Sequence, residues 1–275
     1  TCRASSIDLN RAASGSSRGW SRTHTPTPMN LTTEGDIPSE AKRPSPRSSG
    51  VEFLNALQLS DTFFPTGLYT LSHGFEAFVQ AGLAAKPDVE ALLRDYLESV
   101  LGPADGVALS HAHRAAEAQN LGRLLEIDHR LFAMKLIRET REASRRVGKR
   151  ILTTALKLHP DSLLKDYWVA VDAGDSPGNS AVALGAAAAT FSIARREAVL
   201  IELYTFSTSL LGAAMRLIRL DHEEAQGILD RLKPLMVRVV QENIDKCLEE
   251  MRAFAPLIDI MGMAHERARI RLFIS

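Results

Sequence analysis

From Asp88 to Val100, the residues Val89, Leu92, Leu93, Tyr96, Leu97 and Val100 recur at steps of three and four. An α-helix gathers side chains with that spacing onto one stripe, so the segment predicts an amphipathic helix that must bury one face. Asp88, after Pro87, suits its N-cap. The same periodicity governs most of the chain. Gly102-Pro103 is expected to break the first helix, with Pro103 opening a second that reaches about Gln119. Helices are expected over about 121–137 and 139–158, the latter ended by His159-Pro160. The turn formers Asp172, Gly174, Asp175, Pro177 and Gly178 make 171–179 a loop.

Ala181 to Ala189 predicts a helix of short side chains, which lets neighbouring backbones approach closely. Leu200, Leu203, Tyr204, Ser207, Leu210, Leu211, Ala214, Leu217 and Ile218 then repeat close to every 3.5 residues, the spacing of a seam between packed helices. The seam reads as intramolecular core, with a dimer contact as the alternative. Helices near 222–231 and 235–254 follow, and Pro256 opens a short C-terminal tail over 256–275. Alternating β-branched runs joined by hairpin turns are absent. The expected fold class is all-α: a single-domain orthogonal bundle of about eight to ten helices over 51–255.

Residues 1–50 have a different character. Ser, Thr, Pro, Gly and Arg dominate, as in Pro44-Ser45-Pro46-Arg47-Ser48-Ser49-Gly50. Such a stretch buries too little apolar surface to offset its ordering entropy, so a disordered segment is expected. Residues 1–33 hold one acidic residue against four arginines, as an organelle transit segment does, although a dispensable tail is the preferred reading.

Lys plus Arg number 33 and Asp plus Glu number 33, which leaves no electrostatic footprint for nucleic acid. The longest uncharged run, Ser176 to Ala194, is too weakly apolar to insert readily in a bilayer, so no membrane partner is expected. Two cysteines fit a reducing compartment, read as the cytoplasm.

The signatures of catalysis are weak. Gly148-Lys149-Arg150 lacks the hydroxyl of a P-loop, and neither G-x-G-x-x-G nor G-x-S-x-G is present. His111 and His113 are two apart, so a helix points them in different directions. Arg269 stands where a zinc-protease motif beginning at His265-Glu266 needs its second histidine. Glu126 and His129 form one Glu-x-x-His where a di-iron bundle needs two. Surface or capping roles are expected for these histidines, with no catalytic residue, no metal site and no cofactor. Arg138, Arg141, Arg145 and Lys149 step along one helix face, with Arg146 and Arg150 beside it. That face reads either as solvated or as a docking surface for an acidic partner, and a Glu142–Arg146 pair is expected on it.

The segment Leu57-Gln58-Leu59-Ser60-Asp61-Thr62-Phe63-Phe64-Pro65-Thr66-Gly67, continuing through Ser72-His73-Gly74-Phe75-Glu76, resembles the N-terminal signature of the UreF family of urease accessory proteins. Later blocks resemble that family in the same order. They are Arg141-Glu142-Ala143-Ser144 with Gly148, Gly178 to Gly185, Ala213-Ala214-Met215-Arg216-Leu217, and His265-Glu266 with Arg271-Leu272-Phe273-Ile274-Ser275. Ser180-Ala181 departs from the usual His-Pro, and Arg219-Leu220-Asp221-His222 from the usual Pro-Leu-Gly-Gln.

The resemblance implies an all-α, non-enzymatic protein that dimerises. It implies binding to the accessory protein UreD or UreH, recruitment of the GTPase UreG, and docking on apo-urease for nickel delivery. On that basis Pro65 and Gly67 are expected to fix a turn, and Ser72, His73 and Glu76 to face a partner near the next helix start. Glu76 with Arg141, Arg145 and Lys149 would meet UreG or urease. The tail, with His265, Glu266, Arg271, Leu272 and Phe273, would order by packing on UreD or UreH.

Overall fold

The computed structural model describes residues 50–269 and 271–273. The expected disordered segment, apart from Gly50, and the last two residues lie outside the described residues. The helices are α1 (Gly50–Ser60), α2 (Phe75–Gln80), α3 (Asp88–Tyr96), α4 (Val107–Glu117), α5 (Leu121–Met134) and α6 (Arg138–Leu158). They continue with α7 (Ser162–Ala173), α8 (Ser180–Thr190), α9 (Arg195–Leu217), α10 (His222–Asn243) and α11 (Pro256–His265). A π-helical segment, Leu97–Gly106, joins α3 to α4, and single 3-10 turns occupy Leu68–Thr70 and Leu248–Glu250. No strand occurs among the described residues.

The small-residue helix α8 is the centre of the core. Every residue from Ala181 to Ala188 is buried, as befits a helix with no polar face. It packs most closely on α4 and α6. A Cβ at Gly185 would lie 2.5 Å from the Leu109 carbonyl oxygen of α4. Gly148 on α6 is tighter still, because its Cβ would lie 2.0 Å from the carbonyl oxygen of Gly178. Beside that contact Ser144 donates to Ser180 or accepts from it at 3.0 Å, and accepts the Ser180 amide.

The loop before α8 is built around Asp128 of α5, which is fully buried. Its carboxylate accepts hydrogen bonds from Ser176 Oγ and the amides of Gly178 and Asn179 at 2.6–2.8 Å, and from Asn179 Nδ2. A buried carboxylate is tolerable when its lone pairs are filled in this way.

Helix α7 is not among the expected elements and runs to Ala173, into the loop expected from 171, and three further boundaries differ from the sequence expectation. Gly102-Pro103 does not break the chain: α3, the π segment and α4 form one continuous helical rod. Proline removes its own amide hydrogen and its ring crowds the carbonyl four residues back, and a π-type turn absorbs both locally. The Ser99 carbonyl, which an α-helix would pair with residue 103, instead accepts the amide of Phe254, and the Pro103 carbonyl accepts that of Arg252. Those two bonds explain the second difference. The helix expected over 235–254 is seen only as far as Asn243, because the chain leaves α10 there and residues 251–255 run extended to meet the carbonyls of Ser99 and Pro103. Third, α10 runs unbroken through Pro234. Leu232, Leu235 and Met236 are all buried there, and their packing offsets the roughly 3 kcal/mol that an interior proline costs.

Along the 200–218 seam Leu203, Ser207, Leu210, Leu211 and Ala214 are buried within the chain, as core packing requires, while Tyr204 is exposed. By length and composition α9 would span a bilayer, yet it packs against α1, α4, α8 and α10 as a core helix. Asp221, one of the departures from the family pattern, caps α10 in a reciprocal box with Glu224.

Candidate partner-binding surface

The N-terminal signature folds as a chain reversal between α1 and α2. Asp61 accepts the Phe63 amide at 2.9 Å, Phe64 turns inward and is buried, and Pro65 is exposed. Gly67 then adopts φ +79°, the left-handed conformation that glycine takes without cost, and starts the 3-10 turn. His73 at φ +54° and Gly74 at φ +82° make the second reversal, into α2. His73 Nε2 lies 3.0 Å from Ser209 Oγ, and Tyr96 donates to the His73 carbonyl.

This reversal points Glu76 inward. The expectation that Ser72, His73 and Glu76 face a partner is therefore corrected: Ser72 is fully buried, Glu76 is 2 % exposed and His73 is half-buried. The Glu76 carboxylate receives the amides of Leu272 and Phe273 at 2.9 and 3.1 Å and lies 3.1 Å from His265 Nε2. The other ring nitrogen, Nδ1, lies 2.6 Å from Glu139 Oε2 on the first turn of α6. Arg271 donates to the same Glu139. Both imidazole nitrogens thus face carboxylates. Burial by itself raises the Glu76 carboxyl, but the Leu272 amide, His265 and the Phe273 amide outweigh it and hold the group below its ordinary value.

The C-terminal segment is thereby clamped to its own chain, where the sequence had suggested ordering on a partner. Four polar residues and two backbone amides hold it, and Phe273 is buried under the Arg216 guanidinium, 4.3 Å from the ring centroid. Glu266 lies at the start of α6, accepting the Glu139 amide at 3.3 Å, where a carboxylate suits the positive end of the helix. Leu272 and Arg271 remain exposed. Glu139 was not singled out in the sequence, and its only signal there is an acidic residue in a first helical turn.

Helix α11 puts Ile258, Met261 and His265 inward and Leu257, Ile260 and Met263 outward. The outward three lie at three-residue steps, with exposed Phe254 ahead of them in the chain. Large apolar side chains grouped on one face are the usual mark of a contact surface.

The basic face of α6 is partly committed. Arg141 donates to the Lys135 and Leu136 carbonyls at 2.6 and 2.8 Å, closing the turn after α5. Arg145 pairs with Glu142 and reaches the Pro177 carbonyl, so Glu142 takes its i+3 neighbour in place of the expected Arg146. Arg138, Arg146 and Arg150 are exposed and Lys149 is half-buried. His111, His113 and His129 each meet a backbone carbonyl, those of Lys246, Ile193 and Asp175 respectively, at 2.8–2.9 Å. Among the described residues no three His, Cys, Asp or Glu side chains converge on a metal position.

The described residues form a helical core that clamps its own C-terminal segment and displays an apolar helix face and a basic one. The UreF family model matches residues 83–233. The chain is similar to the urease accessory protein UreF 2 of Brucella canis, 32 % identical over 81 % of this chain and 91 % of the relative. It is 35 % identical to the urease accessory protein UreF of Trichodesmium erythraeum over 81 % of this chain and 96 % of that one. The UreF of Bacillus sp. strain TB-90 is 29 % identical over a similar span. The chain belongs to the UreF family: it is a non-catalytic urease accessory protein that acts in urease maturation.

Proposed function

We propose that this protein bridges the accessory protein UreD or UreH and the GTPase UreG on apo-urease, and so regulates GTP-dependent nickel delivery in the cytoplasm. The observation that carries this reading is the outward apolar face of Leu257, Ile260 and Met263 on a segment fixed by the Glu76–His265 cluster. A rigidly held apolar face loses little conformational entropy on docking, which favours a specific interface. In this reading α11 and the C-terminal segment meet UreD or UreH. Residues Arg138, Arg145, Arg146 and Lys149 of α6 meet UreG or urease. Glu76, His265 and Glu139 act by positioning, while Pro65 and Gly67 set the path into the cluster. A homodimer doubles these surfaces in one assembly.

Reconstitution tests the proposal. The full chain is mixed with UreD or UreH, UreG, apo-urease, nickel, bicarbonate and GTP, and urea hydrolysis is followed with and without it. Full activation in its absence overturns the reading. A helical adaptor unrelated to these partners would show no co-purification with either accessory protein.

A further inference from the structure

A cavity of about 280 Å³ opens between the α1–α2 reversal, the end of α5 and the start of α11, and runs inward along α9. That volume lies at the small end of ligand pockets. Its walls are largely apolar, with Leu101, Leu131, Met134 and Phe206 among them. They also carry four carboxylates, Asp61, Asp105, Glu202 and Asp259, against two cations, Lys135 and Arg216. Both cations are committed elsewhere. Lys135 pairs with Asp105 at 2.7 Å, and both side chains are largely buried. Arg216 donates to the Gly212 and Tyr69 carbonyls and covers Phe273.

Asp61, Glu202 and Asp259 are therefore left without a cation, and of these Asp61 accepts the Phe63 amide. The half-buried Glu202 carboxylate lines the largely apolar cavity and accepts no hydrogen bond from any described residue. Burial and the neighbouring Asp105 push it up to about 7, against the pull of Lys135. The remaining polar groups in the wall do not supply a counter-charge. Burial and Lys135 hold the His73 imidazole near 3, hence neutral, and burial raises the Tyr96 phenol above its usual range. Asp259 is likewise raised by burial.

We infer that the cavity is a binding site for a primary ammonium group on a short aliphatic stem, with Glu202 as its counter-ion. An ammonium brings three donors and no acceptor, and its methylenes match apolar walls that offer little to a hydrated ion. Direct chelation of a metal ion fits poorly, since no three metal-ligating side chains converge among the described residues. The same chemistry is carried by a free aliphatic amine and by a lysine side chain of a docked polypeptide.

The test titrates the full-length protein with n-butylammonium, n-butanol and Nα-acetyl-lysine methylamide, followed by calorimetry and protein-observed NMR. Saturable binding of n-butylammonium at least ten-fold tighter than n-butanol is expected, and Glu202→Gln is expected to weaken it at least ten-fold. Binding of the blocked lysine as well assigns the site to a partner's side chain, and binding of n-butylammonium alone assigns it to a free amine. A measurement on the unaltered chain does not depend on how the variant folds: at pH 6 binding should release about one proton, as Glu202 ionises against the ammonium. Equal affinity for butanol and butylammonium, no proton release, or saturation by a divalent cation with no response to either amine overturns the assignment.

Discussion

Glu76 and His265 stand 189 positions apart in the chain, yet the carboxylate oxygen Oε2 of one lies 3.1 Å from Nε2 of the other, and both side chains are buried. The contact joins the first turn of α2 to the last turn of α11. Glu139 and Arg271 extend it to α6 and to the final residues. Removing the Glu76 carboxylate leaves the Leu272 and Phe273 amides and His265 Nε2 without their acceptor, and each buried donor left unpaired costs about 1–3 kcal/mol. Glu76→Ala should therefore release the C-terminal segment. Hydrogen exchange of the Leu272 and Phe273 amides reads this directly, and native-like protection in the variant would contradict it.

The same cluster predicts a response to acid. The Glu76 carboxyl is held below its ordinary value, so its contribution is fully present above the unfolded-state value near 4.5 and is lost as pH falls through the folded one. Carboxypeptidase trimming of the C-terminal segment should accelerate as pH falls below that ordinary value, before the far-ultraviolet circular dichroism changes. Coincident loss of both signals would place the cluster's titration elsewhere.

Gly148 admits no side chain, because a Cβ would stand 2.0 Å from the Gly178 carbonyl oxygen, a backbone atom that cannot swing aside. Gly148→Ala must push α6 away from the loop before α8, at a cost of about 1–3 kcal/mol or more. Urea unfolding should show a lower midpoint with an unchanged slope. Gly212→Ala on α9, where no described atom lies within 4 Å of the added Cβ, serves as the comparison and should stabilise slightly or be neutral.

Asp128 concentrates four donors on one buried carboxylate. Asp128→Ala leaves those donors unpaired and should cost about 3 kcal/mol or more, with the 176–179 loop losing exchange protection first. Asp128→Asn keeps the shape but replaces one acceptor by a donor and should fall between the two.

The proposed docking face gives a prediction separable from folding. Ile260→Asp changes a side chain that is 60 % exposed, so stability should move by no more than about 0.5 kcal/mol. Its pull-down with UreD or UreH should nevertheless fail. Arg146→Glu on α6 should spare that complex and weaken capture of UreG. Normal binding by Ile260→Asp would remove α11 from the interface.

Periodicity was enough to establish an all-α chain, the small-residue helix at 181–189 and the core role of the 200–218 seam, because each depends on neighbours three or four residues away, while the turn formers marked the loop before α8 but placed its start at 171, where α7 runs on to Ala173. The turn Pro65-Thr66-Gly67 was legible because the left-handed φ at Gly67 is a local demand. Local signals failed at Pro103 and Pro234. There the cost of a missing amide is set against burial and against bonds from Arg252 and Phe254, which approach from far along the sequence. The inward turn of Glu76, the role of Glu139, the clamping of the C-terminal segment and the unpaired Glu202 also belong to tertiary structure. Each is a meeting of charges from separate helices, and the energy of a charge depends on which partners and how much water surround it in space.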